Sequence, residues 1–109
     1  MLGPEHPSVA SSYNNLGLVY SKKCKHEEAL GAHSKALEIE LKVLGPEHPD
    51  VATSYNGLGC VYYSQGKQEE ALGEYSKALE IRLKVFGDVH PEVARTKHNM
   101  GLVLKATGN

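Results

Sequence analysis

An internal repeat of 42 residues constrains this sequence more than any other feature. The stretch Leu-Gly-Pro-Glu-His-Pro begins at Leu2 and again at Leu44, and a degenerate copy begins at Phe86. Residues 2–43 and 44–85 are identical at 30 of 42 positions, whereas the third copy keeps 8 of its 24 positions. Stacked repeats of this length form an extended surface and not one enclosed pocket, so the repeat favours a binding function over catalysis.

Composition narrows the class of protein further. The 109 residues include 12 basic and 13 acidic side chains, so bulk charge indicates neither a nucleic-acid partner nor a membrane partner. Cys24 and Cys60 are too few and too far apart for a disulfide framework, and two reduced thiols fit the cytoplasm. The first residues lack the basic and apolar regions of a signal peptide, and no apolar run reaches the length of a membrane span. We therefore expect a soluble, cytoplasmic protein.

Apolar residues recur at helical spacing in two stretches of each repeat. In the first repeat, one predicted face consists of Val9, Tyr13, Leu16 and Tyr20, and the other of Ala29, Leu30, His33, Ala36, Leu37 and Leu41. Proline opens each first helix at Pro7 and Pro49, and Gly45-Pro46 ends the second. The sequence thus predicts five helices, near 7–22, 26–43, 49–64, 68–85 and 91–106, with short links that make the two helices of a repeat antiparallel.

The spacing within each repeat resembles the tetratricopeptide repeat. Tyr13-x-x-Leu16-Gly17-x-x-Tyr20 is similar to the family's W-x-x-L-G-x-x-Y core, and the second helix continues at A-x-x-x-F-x-x-A spacing. The unit is longer than the family's usual period of about 34 residues, and its H-P-x-V-A opening resembles the kinesin-light-chain subclass. The resemblance implies a single all-α domain over 1–109, a right-handed α-solenoid of about two and a half repeats: 2–43, 44–85, and a partial repeat or capping helix over 86–109.

Several positions depart from the pattern. Cys24 occupies the turn position that Gly66 holds in the second repeat, and a left-handed backbone there would cost about 1 kcal/mol. His33 replaces a bulky aromatic residue. Lys97 replaces a tyrosine in the last helix, which indicates either a capping helix with one face in water or a fragment that lacks a sixth helix.

The resemblance also implies where a ligand binds. In this family the first helices of successive repeats line a concave groove, and position-by-position transfer gives three sets of groove-facing candidates. They are Ser11, Asn14, Leu18, Ser21 and Lys22; then Thr53, Asn56, Cys60, Tyr63 and Ser64; then Arg95, His98, Leu102, Lys105 and Ala106.

These candidates have different predicted roles. The amides of Asn14 and Asn56 can pair with a peptide backbone, or alternatively with the neighbouring repeat or water. An apolar floor is expected from Leu18, Cys60 and Leu102, unless they pack against the adjacent helix. Basic groups would mark both ends of the groove and would suit an acidic peptide or a C-terminal carboxylate; they are Lys22, Arg95, His98 and Lys105.

Catalytic and metal-binding motifs are not evident. His6, His48 and His90 recur because the loop recurs, and each precedes a proline where it can cap the next helix. No phosphate loop, nucleophile motif or metal-binding HExxH appears, so we expect neither a cofactor nor an enzyme. The sequence favours a scaffold that binds a peptide segment of a partner. The alternatives are a self-assembly module that stacks through its terminal helices, and a regulatory fragment of a larger protein.

Overall fold

The computed structural model describes residues 6–106, and these residues form five α-helices without any strand. The helices are α1 (Pro7–Lys22), α2 (His26–Val43), α3 (Pro49–Ser64), α4 (Gln68–Phe86) and α5 (Pro91–Ala106). The predicted ranges agree with these bounds, except that α4 ends one residue later, at Phe86. The all-α solenoid predicted from the repeat is therefore confirmed.

Each first helix begins with the same histidine cap. His6, His48 and His90 each accept a hydrogen bond at Nδ1 from the backbone N–H two residues later, at 3.0, 3.1 and 3.0 Å. A side-chain acceptor at this position satisfies one of the backbone donors that a helix start leaves unpaired. The capping role predicted for the three histidines is confirmed.

The turns within the two complete repeats have the same geometry despite different residues. Cys24 has a φ of 58° and Gly66 a φ of 78°, so both lie in the left-handed region. In each turn the next residue donates its N–H to a carbonyl five positions earlier, Lys25 to Tyr20 and Lys67 to Tyr62. This is the Schellman arrangement, which favours glycine because a Cβ is strained there. The strained turn predicted at Cys24 is confirmed.

Small residues allow the helices to pack closely. Ala29 and Ala36 of α2 are fully buried, as are Ala71 and Ala78 of α4. The predicted second-helix face is wrong at one position, because Leu41 is more than a third exposed. The buried residues there are Ile39 and Glu40, and Ile81 and Arg82 are their counterparts in α4.

The helices pack in chain order. Each helix contacts the next, and α1 also contacts α3 directly. The first helices of successive repeats thus lie side by side on one face of the solenoid. Lys97 on α5 is exposed and its Nζ lies 3.3 Å from Asp88 Oδ1, as expected for a helix with one face in water. Among residues 6–106, no helix is long and apolar enough to cross a membrane.

The turn geometry predicts the effect of exchanging its central residue. Replacing Cys24 by glycine should raise the free energy of unfolding by about 1 kcal/mol, because the left-handed conformation no longer places a Cβ against the backbone. The reciprocal change, Gly66→Cys, should lower it by a similar amount. Urea unfolding of both variants beside the parent measures this, and equal stabilities for all three proteins would contradict the account.

Candidate binding groove

The structure contains a cavity of about 500 Å³ between its repeats. The first helices α1, α3 and α5 supply most of its lining residues, and the second helices α2 and α4 supply the rest. Its lining residues are Asn14, Leu18, His33, Pro49, Asp50, Thr53, Asn56, Gly57, Cys60, Arg82, Phe86, Glu92 and Arg95. A smaller cavity of about 140 Å³ adjoins it and is lined by Ser11, Asn14, Asn15, Glu40, Asp50 and Thr53.

The structure brings about half of the predicted groove residues together at these cavities. The residues that line at least one of them are Ser11, Asn14, Leu18, Thr53, Asn56, Cys60 and Arg95. The remaining candidates line neither cavity: Ser21, Lys22, Tyr63, Ser64, His98, Leu102, Lys105 and Ala106. Of the four basic residues predicted to mark the groove ends, only Arg95 therefore lines either of these two cavities. Leu18 and Leu102 are exposed, and Cys60 is half-buried.

Asn14 belongs to a chain of hydrogen bonds that joins the first two repeats. Its Oδ1 lies 2.8 Å from His33 Nδ1, and its Nδ2 donates to Ser54 Oγ at 2.9 Å. Ser54 Oγ donates in turn to Glu40 Oε1 at 2.5 Å. Since Asn14 Oδ1 can only accept, His33 must carry its proton on Nδ1 in this arrangement. The alternative in which the asparagine pairs with the neighbouring repeat is thus observed for Asn14.

Asn56 contacts the third repeat through a different atom and a different partner position. Its Oδ1 accepts a hydrogen bond from Asn99 Nδ2 at 3.2 Å, which links α3 to α5. Its Nδ2 lies 4.0 Å from Cys60 Sγ, and Tyr75 donates its hydroxyl to the same sulfur at 3.1 Å. An asparagine amide has two N–H donors and two acceptor lone pairs, so both asparagines keep hydrogen-bonding capacity at the cavity.

His33 fits between two glycines. A Cβ on Gly17 would lie 2.7 Å from the imidazole Nε2, and a Cβ on Gly57 would lie 2.6 Å from Cε1. Only glycine therefore allows α1 and α3 to approach this ring. Burial lowers the pKa of His33, because the charged imidazolium loses solvation. A Cβ at Gly101, the equivalent position in α5, would meet nothing within 4 Å, and no described helix follows α5.

Two charged residues of the second helices were not among the predicted groove residues. Glu40 is 2% exposed and Arg82 is 5% exposed, and they occupy equivalent positions one repeat apart. Each reaches a hydroxyl on the following first helix: Glu40 contacts Ser54, and Arg82 donates to Thr96 Oγ1 at 2.7 Å. The sequence does contain a signal for these two residues, because each is a charged side chain on a helix face that consists mainly of alanine and isoleucine.

The surroundings of these two charges differ. Burial raises the pKa of Glu40 and the nearby Asp50 raises it further, while the Ser54 hydrogen bond and the nearby His48 act in the opposite direction. Burial lowers the pKa of Arg82, and Glu92 opposes that shift from 3.7 Å. Glu92 also lies 3.5 Å from Arg95, so two guanidinium groups share one carboxylate. Among residues 6–106, Glu40 has no such ion pair.

A third cavity, of about 630 Å³, lies outside the groove. It forms between the loop that follows α2 and the side of α4, and its lining includes Pro46, Tyr55 and Lys77. Most of its wall belongs to the stretch that is identical in both repeats. Within residues 6–106, no group of three or more His, Cys, Asp or Glu side chains could hold a metal ion.

Comparisons with known proteins agree with the repeat geometry. A family model for the tetratricopeptide repeat matches residues 8–84. The crystal structure of BtubC (BKLC) from P. vanneervenii is similar with a TM-score of 0.88 and 35% identity, over 95% of this chain and 42% of that one.

A second similar structure is that of nearly identical TPR-like repeats from a Podosopora anserina protein assigned as a kinesin light chain. It has a TM-score of 0.76 and 27% identity, and the match covers 98% of this chain and 51% of that one. The chain thus spans about half the length of the solved structures it matches. Among curated proteins, none matches the chain significantly.

The buried imidazole predicts a dependence of stability on pH. The folded state lowers the pKa of His33 below its ordinary 6.5, so below that pH the unfolded chain binds more protons and stability falls. The contribution of the neutral His33 imidazole to stability is fully present above pH 6.5. It is lost as the pH falls towards the lower pKa that His33 has in the folded state.

We expect His33→Gln to lose less stability than the parent between pH 7.5 and 5.5, because glutamine does not titrate. Urea midpoints across this range measure the difference. Both proteins retain Glu40 and the other histidines, so the comparison isolates His33. Parallel pH profiles would contradict the account.

Proposed function

Since the chain belongs to the tetratricopeptide repeat family, with repeats of the kinesin-light-chain-like type, we propose that it binds an extended peptide segment of a partner protein in its concave groove. Tetratricopeptide repeats are a non-catalytic scaffold that mediates protein–protein interaction. The observation that carries the finer proposal is the 500 Å³ cavity, which six residues chosen from the sequence as groove-facing help to line. We place the module in the cytoplasm, where Cys24 and Cys60 remain reduced.

The cavity combines the groups that peptide recognition requires. Asn14 and Asn56 offer spare donors and acceptors for a peptide backbone, and Thr53 lies exposed between them. Leu18 is 54% exposed and gives the same wall an apolar surface. Polar groups that fix a main chain beside a small apolar floor are typical of peptide grooves.

The charges at the cavity do not favour a purely acidic peptide. Arg82 and Arg95 are offset in part by Glu92, and Asp50 lines the same space. Bulk attraction for an anion is therefore weak, and specificity must depend on where individual charges lie along the groove.

A pair of neighbouring residues on α1 tests the groove. Leu18→Asp should reduce peptide affinity about tenfold or more, because it places a charge on the apolar floor without removing any inter-repeat hydrogen bond. Val19→Asp is the matched control: Val19 is 47% exposed, adjacent in sequence, and lines neither groove cavity. Asn14→Ala and Asn56→Ala should also weaken binding.

The measurement is a peptide array followed by fluorescence anisotropy on its hits, with circular dichroism to show that each variant is folded. Binding that Leu18→Asp, Asn14→Ala and Asn56→Ala all leave unchanged would refute the groove.

Self-assembly is a second candidate function, and one observation favours it. Leu16 and Val19 on α1 are 42% and 47% exposed, whereas the equivalent Leu58 and Val61 on α3 are 6% and 0% exposed. The preceding helix α2 packs against α3, and α1 has no described helix in that place. We propose that a second copy could cover this apolar face of α1.

Sedimentation over a wide concentration range tests the assembly proposal. We expect the parent to associate at high concentration and Leu16→Lys to remain monomeric, because the lysine places a charge in the new interface. Leu18→Lys changes the adjacent groove position and serves as the control. A parent protein that stays monomeric at every concentration would end the proposal.

A further inference from the structure

The two groove cavities are built from equivalent positions one repeat apart. All six residues of the smaller cavity have a counterpart, 42 positions later, that lines the larger cavity. The pairs are Ser11 and Thr53, Asn14 and Asn56, Asn15 and Gly57, Glu40 and Arg82, Asp50 and Glu92, and Thr53 and Arg95. The groove therefore presents the same subsite twice, once between α1 and α3 and once between α3 and α5.

The charge at the floor of the subsite is inverted between the two copies. In the first subsite, defined by Glu40 and Asp50, both charged side chains are acidic. In the second subsite, defined by Arg82, Arg95 and Glu92, two guanidinium groups face the Glu92 carboxylate, and Asp50 lies in the wall that the two cavities share. A negative subsite thus stands beside a positive one in the same groove.

The buried charges are incompletely compensated. Glu40 is almost wholly buried, its carboxylate has a hydroxyl partner in Ser54, and no ion pair reaches it from residues 6–106. A buried carboxylate without a cation is costly, so a positive group that entered the cavity would supply the missing countercharge. On the other side, Arg95 is largely exposed and shares Glu92 with Arg82, so its guanidinium is only partly compensated.

The residues that distinguish the first two repeats concentrate at these cavities. Twelve of the 42 aligned positions differ between the two repeats. At six of these twelve, the residue from the first repeat, from the second or from both lines one of the two cavities. Of the 30 identical positions, only those of Asn14 and Pro49 do so. Most positions that line neither cavity are identical in the two repeats. Half of the positions that differ, including the one that holds Glu40 and Arg82, lie where a ligand would contact them.

A single ligand can reach both subsites, because the cavities share Asn14, Asp50 and Thr53 in their walls. Packed helices lie about 8–10 Å apart, and an extended chain advances about 3.3 Å per residue, so the subsites are about three residues apart along a peptide. We infer that the groove binds an extended segment with one basic and one acidic residue about three positions apart, the basic residue at Glu40 and Asp50 and the acidic residue at Arg82 and Arg95.

This inference rests on the proposed peptide-binding function and deepens it, and peptide selection tests it. A random twelve-residue phage-display library is selected against the whole chain, and the enriched peptides are titrated by calorimetry. We expect enriched sequences to carry opposite charges two to four positions apart, with one order of the charges predominating.

Charge exchange then assigns each subsite. Asp50→Lys should weaken a selected peptide about tenfold or more, and replacing the basic residue of that peptide by glutamate should restore the affinity. Arg95→Glu should likewise be rescued by replacing the peptide's acidic residue with lysine. Asp50 and Arg95 are both largely exposed, so the variants should fold. Glu69→Lys, also in the first turn of a helix but outside both cavities, is the matched control and should leave affinity unchanged.

The outcomes separate this inference from the function on which it rests. The inference would be overturned, and the groove left intact, if the selected peptides bind with Leu18-dependent affinity but carry no paired charges. Absence of rescue by charge exchange would have the same meaning. Peptides with a single uniform sign of charge would overturn it in the same way. A failure to select any binding peptide would overturn both the groove and the inference.

Discussion

Close approach of helices at small residues is the constraint on which the rest of this structure depends. The imidazole of His33 occupies the space that a Cβ of Gly17 or Gly57 would fill, so one ring holds α1, α2 and α3 together. Fully buried alanines on both second helices reinforce this contact. Because α1 and α3 are held side by side, a groove exists between their outer faces and second-helix side chains can reach its floor. A bulkier residue at Gly57 would separate the helices and open that floor.

The inter-repeat contacts make the groove part of the packing and not a separate surface. Asn14 and Asn56 each bond to the next repeat from the wall of the cavity, and Glu40 and Arg82 each reach a hydroxyl of the next first helix from behind it. These hydrogen bonds restrain the side chains that line the groove, and restrained groups lose little entropy when a ligand binds. The repeat architecture thereby offers a preformed site without any dedicated loop.

Much of the fold could be predicted from the sequence, because its signals are local. Proline, the histidine cap and the glycine turns each act within a few residues, so the helix bounds agree with prediction almost to the residue. The residues that line the groove were harder to predict, because some of them are long side chains of the second helices that extend between the first helices. Glu40 and Arg82 were absent from the prediction for that reason, although both lie on an otherwise apolar face. Spacing likewise placed Leu41 on the buried face, whereas the structure leaves Leu41 exposed and buries Ile39.

The central claim is that a peptide binds to the groove formed by the first helices. The most direct test is to record the backbone amide chemical shifts of the protein with and without a bound peptide. The account predicts that a selected peptide shifts the amides around Asn14, Thr53 and Arg95, on α1, α3 and α5. The contradicting result is a set of shifts confined to the 630 Å³ cavity outside the groove, beside Pro46 and α4, with the amides of the groove unchanged.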